Sequence, residues 1–203
     1  MTMDTDEALA RRLADDLDNS FEALVLAHQD RLYTIAHRFL GNGHDAEETT
    51  QDALIRAYRA MAGYDADRIR GLKLRPWLAT IVLNLCRNRL ARAQAARGTL
   101  SLDRESQEGK AMPEPAADPA AGPAASLDRR EVRRRWAALV VQLPPAYRAP
   151  VVLRHVDGLS YPELAIALDR PEGTVKAQVH RGLALLRTAF EASERLEREE
   201  MTA

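Results

Sequence analysis

Residues 153–187 read LRHVDGLSYPELAIALDRPEGTVKAQVHRGLALLR, and this stretch decides the fold of the C-terminal half of the chain. Its pattern predicts two helices joined by a tight turn. Ser160 is placed to cap the first helix, and Glu163, three residues later, can complete a capping box. Residues 169–171 (DRP) end this helix, because a proline fits the first turn of the next helix better than a helix interior. The stretch is therefore a candidate helix-turn-helix.

The second helix of this pair has two different faces. Its apolar positions recur at helical spacing and are predicted to face a core; they are Val175, Val179, Leu183 and Leu186. The opposite face is cationic and partly small, so it can approach a DNA major groove closely. That face carries Lys176, Ala177, His180, Arg181 and Ala184. The pattern alone also fits an amphipathic hairpin whose basic face is only solvated.

The composition predicts an all-helical protein of one or two small domains. The chain has 203 residues, of which 46% are hydrophobic and only 5% aromatic. No apolar run approaches the roughly 20 residues that span a bilayer, and the acidic N-terminus lacks the apolar stretch of a signal peptide. Cys86 is the only cysteine, which excludes an internal disulfide and a cysteine-based zinc site. We therefore expect a cytoplasmic protein without membrane insertion.

The formal net charge of −1 hides a segregation of charge along the chain. Residues 1–58 contain 12 Asp and Glu against 5 Lys and Arg, whereas residues 59–97 contain 2 against 9. Residues 128–190 are basic again, with 11 Lys and Arg against 6 Asp and Glu. The two basic segments predict DNA contacts in two places, and the acidic N-terminal segment predicts contact with a basic partner.

The N-terminal part of the chain reads as a series of helices. Residues 4–17 give a weak helix candidate, and a stronger one runs from near Ser20 to just before Gly41. A third helix is predicted to start at Asp45, with Glu48 as its capping-box partner.

A basic loop and a further helix follow these elements. Residues 62–75 are predicted to form a loop with a turn at Gly71, and Pro76 is expected to start a helix that runs to about Arg92. Trp77 recurs with apolar residues at helical spacing, so it is predicted to be a core residue rather than a base-stacking one.

Residues 96–126 change character and are rich in Ala, Pro, Gly and acidic residues. Such a segment cannot bury enough apolar surface to fold, so we expect a flexible linker. Ser126 is placed to cap the helix that follows, whose core face is predicted to include Val132 and Trp136. Pro150 is expected to delay or bend the next helix, because a proline in a helix interior costs about 3 kcal/mol.

Nothing in the sequence predicts catalysis or a bound cofactor. The histidines lie singly, without the spacing of metal ligands, at positions 28, 37, 44, 155 and 180. No phosphate loop, nucleophile elbow or paired-carboxylate motif is present in the sequence. We therefore expect no enzyme activity, no cofactor and no metal site.

The helix-turn-helix stretch resembles the promoter-binding module of the extracytoplasmic-function (ECF) sigma factors, a subfamily of the sigma-70 family of bacterial RNA polymerase sigma factors. The resemblance lies in the paired elements GLSY…ELA and GTVK…HR. It implies that the −35 promoter element is read by Thr174, Lys176, Ala177, His180 and Arg181. Ala177 stands where serine is common in the family and Gln178 where arginine is common, so the preferred promoter sequence can differ from that of relatives.

Residues 45–61, DAEETTQDALIRAYRAM, are similar to the sigma helix that docks on the clamp helices of RNA polymerase. Glu48, Gln51 and Asp52 match an acid–glutamine–acid pattern in that helix, and the match implies that they bind the polymerase. The sequence departs from the pattern with Glu48 where aspartate is usual, and with Thr49 and Thr50 where apolar residues are common.

Residues 75–92, RPWLATIVLNLCRNRLAR, resemble the sigma helix that meets the −10 promoter element, and the loop before it corresponds to a specificity loop that captures a flipped base. Base flipping needs cations near the backbone, because contacts must offset the cost of unstacking. The implied −10 residues are Arg70, Lys73, Arg75, Asn84, Arg87 and Asn88.

The resemblance implies an all-α fold of two small helical domains, sigma region 2 and sigma region 4, joined by the flexible linker. The expected organisation is an N-terminal extension (1–19), region 2 (20–95), the linker (96–126), region 4 (127–190) and an acidic tail (191–203). The implied function is to direct core RNA polymerase to specific promoters and to help melt the −10 region.

The implied partners are core RNA polymerase, promoter DNA and, as is frequent in the family, an anti-sigma factor. Two other functions stay open at this point. One is a stand-alone helix-turn-helix regulator that binds duplex DNA without polymerase, although such a protein needs neither the acidic helix nor the separate basic loop. The other is a protein that works mainly by binding a partner such as an anti-sigma factor.

Overall fold

The computed structural model describes residues 3–99 and 123–202, and every regular element in these two ranges is helical. The first range contains α1 (Met3–Asp15), α2 (Leu17–Leu40), α3 (Gly43–Ala62), α4 (Ala66–Arg70) and α5 (Leu74–Thr99). The second range contains α6 (Pro123–Gln142), α7 (Pro145–Val151), a π-helical turn (Val152–Val156), α8 (Tyr161–Leu168) and α9 (Glu172–Thr202). The predicted all-α fold is confirmed.

Helix extends into the predicted linker at both of its ends. The helix α5 continues to Thr99, and α6 begins at Pro123, so helix replaces linker at residues 96–99 and 123–126. Ser126 therefore lies inside α6 and not at its N-cap. The remainder of the predicted linker, residues 100–122, lies outside the described residues.

The helix α2 begins earlier than its sequence suggests, because Asp16 provides its N-cap. The Asp16 side chain accepts a hydrogen bond from the backbone N–H of Asn19 at 3.1 Å. Ser20 is buried inside the helix, where its hydroxyl donates to the carbonyl of Arg12 at 3.1 Å. Gly41 ends α2 as predicted, with a φ of +85° that favours glycine.

The start of α3 was predicted wrongly at Asp45. Asn42 is the N-cap, since its side-chain oxygen accepts the backbone N–H of Asp45 at 2.8 Å. Asp45 instead lies in the first turn, where its charge favours the positive end of the helix dipole. Glu48 is consequently not a capping-box residue and is available for other contacts.

The weak helix candidate at residues 4–17 forms the well-packed helix α1. Leu9, Ala10 and Leu13 are buried against the core, with Leu13 only 1% exposed. The spacing of these three residues is helical, and α1 packs against α2, α4 and α5. The N-terminal extension is thus part of the first folded module.

The helix-turn-helix forms with the predicted caps. The Ser160 and Glu163 capping box is present in full, and Asp169 ends α8 with a φ of +50°. Leu183, in contrast, was predicted to be buried and is 36% exposed. Gly182 takes the inward position in its place, because the buried residues of α9 follow the spacing Val175, Val179, Gly182 and Leu186.

The helices before this hairpin differ from the prediction at two positions. Val132 is 43% exposed rather than part of the core face of α6, whereas Trp136 stacks on Phe190 of α9 with ring centroids 4.8 Å apart. Pro150 lies inside α7 without delaying its start, and a π-helical turn follows it at residues 152–156.

The two halves of the chain pack against each other through a continuous apolar core. The helix α2 contacts α6 and the π-helical turn, and α5 contacts α8. Arg148 of α7 crosses this boundary, since its buried guanidinium donates to the carbonyl of Phe39 in α2 at 2.8 Å. It also donates to the carbonyl of Leu143 at 2.9 Å. Burial lowers the pKa of Arg148, and these carbonyls supply the hydrogen bonds that a buried cation needs.

Candidate polymerase and DNA interface

The proposed −35 face is exposed along the first part of α9. The exposed side chains are Thr174, Lys176, Ala177, His180 and Arg181, while Val175 and Val179 lie on the opposite side and are at most 1% exposed. The structure therefore brings all five predicted residues onto one free helix face. Because Ala177 is small, the backbone of α9 can approach another molecule closely at this point.

Gln178 lies at the edge of the same helix and is partly buried. Its side-chain oxygen accepts a hydrogen bond from Arg170 Nη1 at 3.0 Å. This bond links α9 to the turn after α8 and fixes the orientation of the amide. Gln178 therefore contributes to the shape of the hairpin as well as to the edge of its exposed face.

The proposed −10 residues of α5 lie on one face of that helix. Asn84 and Asn88 are exposed, and Arg87 is partly buried. Arg87 Nη1 donates to the side-chain oxygen of Asn84 at 3.1 Å. Burial lowers the pKa of the Arg87 guanidinium, and the nearby charge of Arg170 lowers it further. Two like charges from different halves of the chain therefore influence each other here.

The predicted loop at residues 62–75 contains the short helix α4, which the sequence did not indicate. Asp65 caps this helix by accepting the backbone N–H of Arg68 at 2.7 Å, and Ile69 anchors it in the core at 4% exposure. The predicted turn at Gly71 is present directly after it. The cations of this segment are therefore held on an ordered turn rather than on an extended loop.

The exposed cations of this segment have acidic neighbours on α1 and on α4 itself. Arg70 forms ion pairs with Asp15 at 2.8 Å and with Asp67 at 2.9 Å, and Lys73 lies 3.9 Å from a carboxylate oxygen of Glu7. The hydrogen bonds that Arg70 donates to Asp15 and Asp67 raise the pKa of its guanidinium. Because these ion pairs are solvent-exposed, they contribute little to stability, and another anion can take the place of the carboxylates.

Arg75 has a different environment from Arg70 and Lys73. It is partly buried, and its Nη2 atom donates to the backbone carbonyl of Asp157 at 2.6 Å. Asp157 follows the π-helical turn and also forms an ion pair with Arg31 of α2. Burial raises the pKa of Asp157, and the charge of Arg31 opposes that shift. Sequence reasoning did not find Arg31 or Asp157, because 126 positions separate them and neither belongs to a local motif.

Trp77 packs as a core residue, as predicted. Its side chain is half-buried against the core, and its ring lies 6.4 Å from that of Tyr64. The guanidinium of Arg68 in turn lies 3.7 Å from the centre of the Tyr64 ring. A row of aromatic and cationic groups thus leads from the surface of α4 to the start of α5.

The proposed polymerase-binding residues Glu48, Gln51 and Asp52 are all exposed on α3. Thr49 and Thr50 point inward and are 2% and 7% exposed, and the Thr50 hydroxyl donates to the carbonyl of Ala46 at 2.7 Å. The two threonines therefore replace apolar residues on the core side of α3, and they do not alter its outer surface.

Glu48 is the most constrained of these three residues. It forms an ion pair with Arg89 of α5, which also contacts Asp45 at 2.6 Å. The hydrogen bond that Arg89 donates to Glu48 is the largest cause of the raised pKa of Arg89. Glu48 therefore ties α3 to α5, while Gln51 and Asp52 stand one turn further along the helix.

Within the described residues, no group of three or more His, Cys, Asp and Glu side chains could hold a metal ion. Cys86 is buried, and burial raises the pKa of its thiol to about 12, which keeps it protonated at neutral pH. Among the described helices, none has the length and apolar character required to cross a membrane.

Most of the described chain matches two known protein-family models. The profile of Sigma-70 region 2 matches residues 24–96, and the profile of Sigma-70, region 4 matches residues 133–186. Two solved structures share the fold. CnrH in complex with the cytosolic domain of CnrY has a TM-score of 0.62 and 24% identity, and the match covers 92% of this chain and 97% of that chain. The sigma factor RpoE in complex with the anti-sigma factor NepR from Bartonella quintana has a TM-score of 0.61 and 18% identity, and the match covers 84% of this chain and 96% of that chain.

Curated relatives are similar over most of this chain. ECF RNA polymerase sigma factor SigW of Bacillus subtilis is 32% identical over 169 residues, covering 83% of this chain and 88% of the relative. ECF RNA polymerase sigma factor SigE of Mycolicibacterium smegmatis is 35% identical over 173 residues, which are 83% of this chain and 60% of that longer protein. ECF RNA polymerase sigma-E factor of Escherichia coli is 30% identical over 182 residues, covering 87% and 90%. The chain therefore belongs to the extracytoplasmic-function subfamily of the sigma-70 RNA polymerase sigma factors.

Proposed function

We propose that this sigma factor reads the −35 element with the exposed face of α9 and the −10 element with α4 and α5, while α3 docks on the clamp helices of core RNA polymerase. The observation that carries the proposal is the free cationic face of α9 on a capped helix-turn-helix whose other side is packed. The protein acts in the cytoplasm by binding and positioning, with no catalytic step of its own.

The exposed face of α9 fits a major groove in both shape and charge. Lys176 and Arg181 can donate to guanine edges, a contact typically worth about 1–3 kcal/mol of discrimination against a wrong base. Either side chain can alternatively neutralise a phosphate, which strengthens binding to every sequence alike. Thr174 lies in the first turn of α9, where the helix dipole favours a phosphate group.

Contact with the −10 element is assigned to the basic segment of residues 59–97, which contains α4 and most of α5. Arg70 and Lys73 are exposed on the α4 turn, so promoter phosphates can replace their acidic neighbours on α1. Asn84 and Asn88 present amide groups one turn apart on α5. Amides at this spacing can hydrogen-bond the edges of unstacked bases while the cations hold the backbone.

The polymerase contact is assigned to Gln51 and Asp52, with Glu48 at the rim. Acidic and amide groups on an exposed helix face suit a basic partner surface. A stand-alone helix-turn-helix regulator has no use for such a surface, which is why the sigma mechanism fits better. An anti-sigma factor is a further proposed partner, since the similar RpoE structure is a complex with the anti-sigma factor NepR.

The −35 assignment is tested by substituting the two cations of the α9 face. Lys176→Ala and Arg181→Ala are compared with wild type in transcription by core enzyme from a selected promoter and its −35 point mutants. If the residue reads a base, its alanine variant should lose the preference for one base pair of the −35 element, so that discrimination at that position falls by about fivefold to a hundredfold. Replacement of a phosphate-contacting residue should lower transcription from all promoter variants alike. It should also reduce the slope of the logarithm of the binding constant against the logarithm of salt concentration by about one.

Leu183→Ala, at a neighbouring exposed apolar position, serves as a control for general damage to α9. Unchanged activity and unchanged preference in both cation variants would show that a different face of the helix contacts the promoter.

A further inference from the structure

A buried ion-pair cluster joins the two halves of the chain. The side chain of Asp157 is fully buried, and Arg31 of α2 binds it through its Nε and Nη2 atoms. The same Nη2 atom lies 3.4 Å from the carbonyl oxygen of Arg75, and Arg75 Nη2 donates to the Asp157 carbonyl. Two arginines of region 2 therefore hold one residue of region 4.

The backbone around Asp157 is shaped for this contact. Asp157 directly follows the π-helical turn, and Gly158 after it has a φ of +75°, which favours glycine. A buried carboxylate is costly unless it is paired and hydrogen-bonded, so separation of the halves would leave Asp157 to be solvated by water instead of by Arg31. The cluster therefore distinguishes a closed arrangement of the two halves from an open one.

The closed arrangement covers part of the face that α5 presents to the −10 element. The hydroxyl of Thr80 donates to the carbonyl of Ala167 in α8 at 3.1 Å, and Arg87 lies near Arg170 in the turn after α8. Thr80, Asn84 and Arg87 follow each other at helical spacing on one face of α5. The −35 face of α9 remains exposed in the same arrangement.

We propose that Asp157, held by Arg31 and Arg75, latches region 4 over part of the α5 face and so keeps the free protein in a closed form in which Arg75 and Thr80 are unavailable to −10 DNA. The inference rests on the proposed −10 role of α5. In this form Arg75 is occupied by a protein carbonyl and Thr80 by α8, although α9 can still meet duplex DNA. Docking on core polymerase must separate the two halves before the whole −10 surface, including Arg75 and Thr80, can bind DNA.

The closed form can be trapped by a disulfide between the halves. A Cβ atom built on Gly41, at the end of α2, lies 3.9 Å from the Cβ of Val141 in α6. This separation is within the roughly 3.5–4.5 Å found in disulfides. The test is therefore the full chain carrying Gly41→Cys with Val141→Cys, assayed for disulfide formation and for transcription with core enzyme. Native Cys86 is buried and protonated, so it does not compete for the new thiols.

We expect the free protein to form this disulfide within one chain. The oxidised protein should transcribe about tenfold less or worse, and a reductant should restore its activity. Adding Asp157→Asn or Arg31→Gln should slow disulfide formation about tenfold, because each removes one charge of the latch. Asp169→Asn is the matched control, since Asp169 is an exposed residue of the same module and asparagine tolerates its positive φ.

A cysteine at position 41 must adopt the positive φ of Gly41, which can destabilise the protein. Two controls measure this effect: the two single-cysteine variants, and the thermal unfolding of the reduced double-cysteine variant. Failure of the disulfide to form would contradict the closed arrangement. An oxidised protein that transcribes as well as the reduced one would contradict the inhibitory role of the latch. If the disulfide forms but the reduced protein does not transcribe, the proposed function is wrong, and the inhibitory role falls with it while the closed arrangement stands.

Discussion

The double variant Gln51→Ala/Asp52→Lys should bind core RNA polymerase at least about a hundredfold more weakly than wild type. Charge reversal at the centre of an interface with a basic partner replaces attraction by repulsion, and like charges facing each other cost several kcal/mol. Both side chains are exposed on α3, so thermal unfolding should be almost unchanged. The measurement is the dissociation constant for core enzyme, together with run-off transcription.

Glu22→Lys is the matched control for this variant, because Glu22 is an exposed acid on the neighbouring helix α2. It makes the same change in net charge and should leave core binding within about threefold of wild type, since it lies outside the proposed surface. Normal initiation by the double variant would show that α3 is not the docking helix.

Gly182→Val should destabilise region 4 by about 1–3 kcal/mol, the usual cost of overpacking a core. A Cβ atom at Gly182 would lie 2.5 Å from Cγ2 of buried Val151 and 3.3 Å from Cβ of Tyr147. Val151 is β-branched and cannot rotate away easily, so α9 must move from α7. Differential scanning calorimetry should therefore show a lower unfolding temperature for the variant.

The matched control is Gly173→Val, in the first turn of the same helix, where nothing lies within 4 Å of a new Cβ. The helix propensities of valine and glycine differ by only a few tenths of a kcal/mol, so this change should be nearly neutral. Equal stability of the two variants would contradict the close packing of α9 on α7.

The parts of the fold that depend on local sequence could be predicted. The Ser160–Glu163 capping box needs residues three apart, and the exposed face of α9 follows from a repeat of apolar positions. The start of α2 was misplaced because Asp16 and Ser20 are both good N-cap residues, and the packing of α1 decides between them.

The contacts between distant parts of the chain could not be predicted from these patterns. Thr49 and Thr50 look like departures from a docking pattern, and only the packing of α3 shows that they face inward. The ion pair of Arg31 with Asp157 depends on the path of the chain between two modules, and neither residue has a local signal. The buried position of Gly182 likewise depends on how closely α9 approaches α7.

Promoter opening with and without core polymerase tests the central claim most directly. A promoter selected from a random library is mixed with the protein alone, with core enzyme alone, and with both, and unpaired thymines near −10 are detected with permanganate. The proposed function predicts negligible sequence-specific binding by the protein alone and reactive thymines only when both components are present. Tight, specific binding to duplex DNA without polymerase, and no opening when polymerase is added, would contradict it.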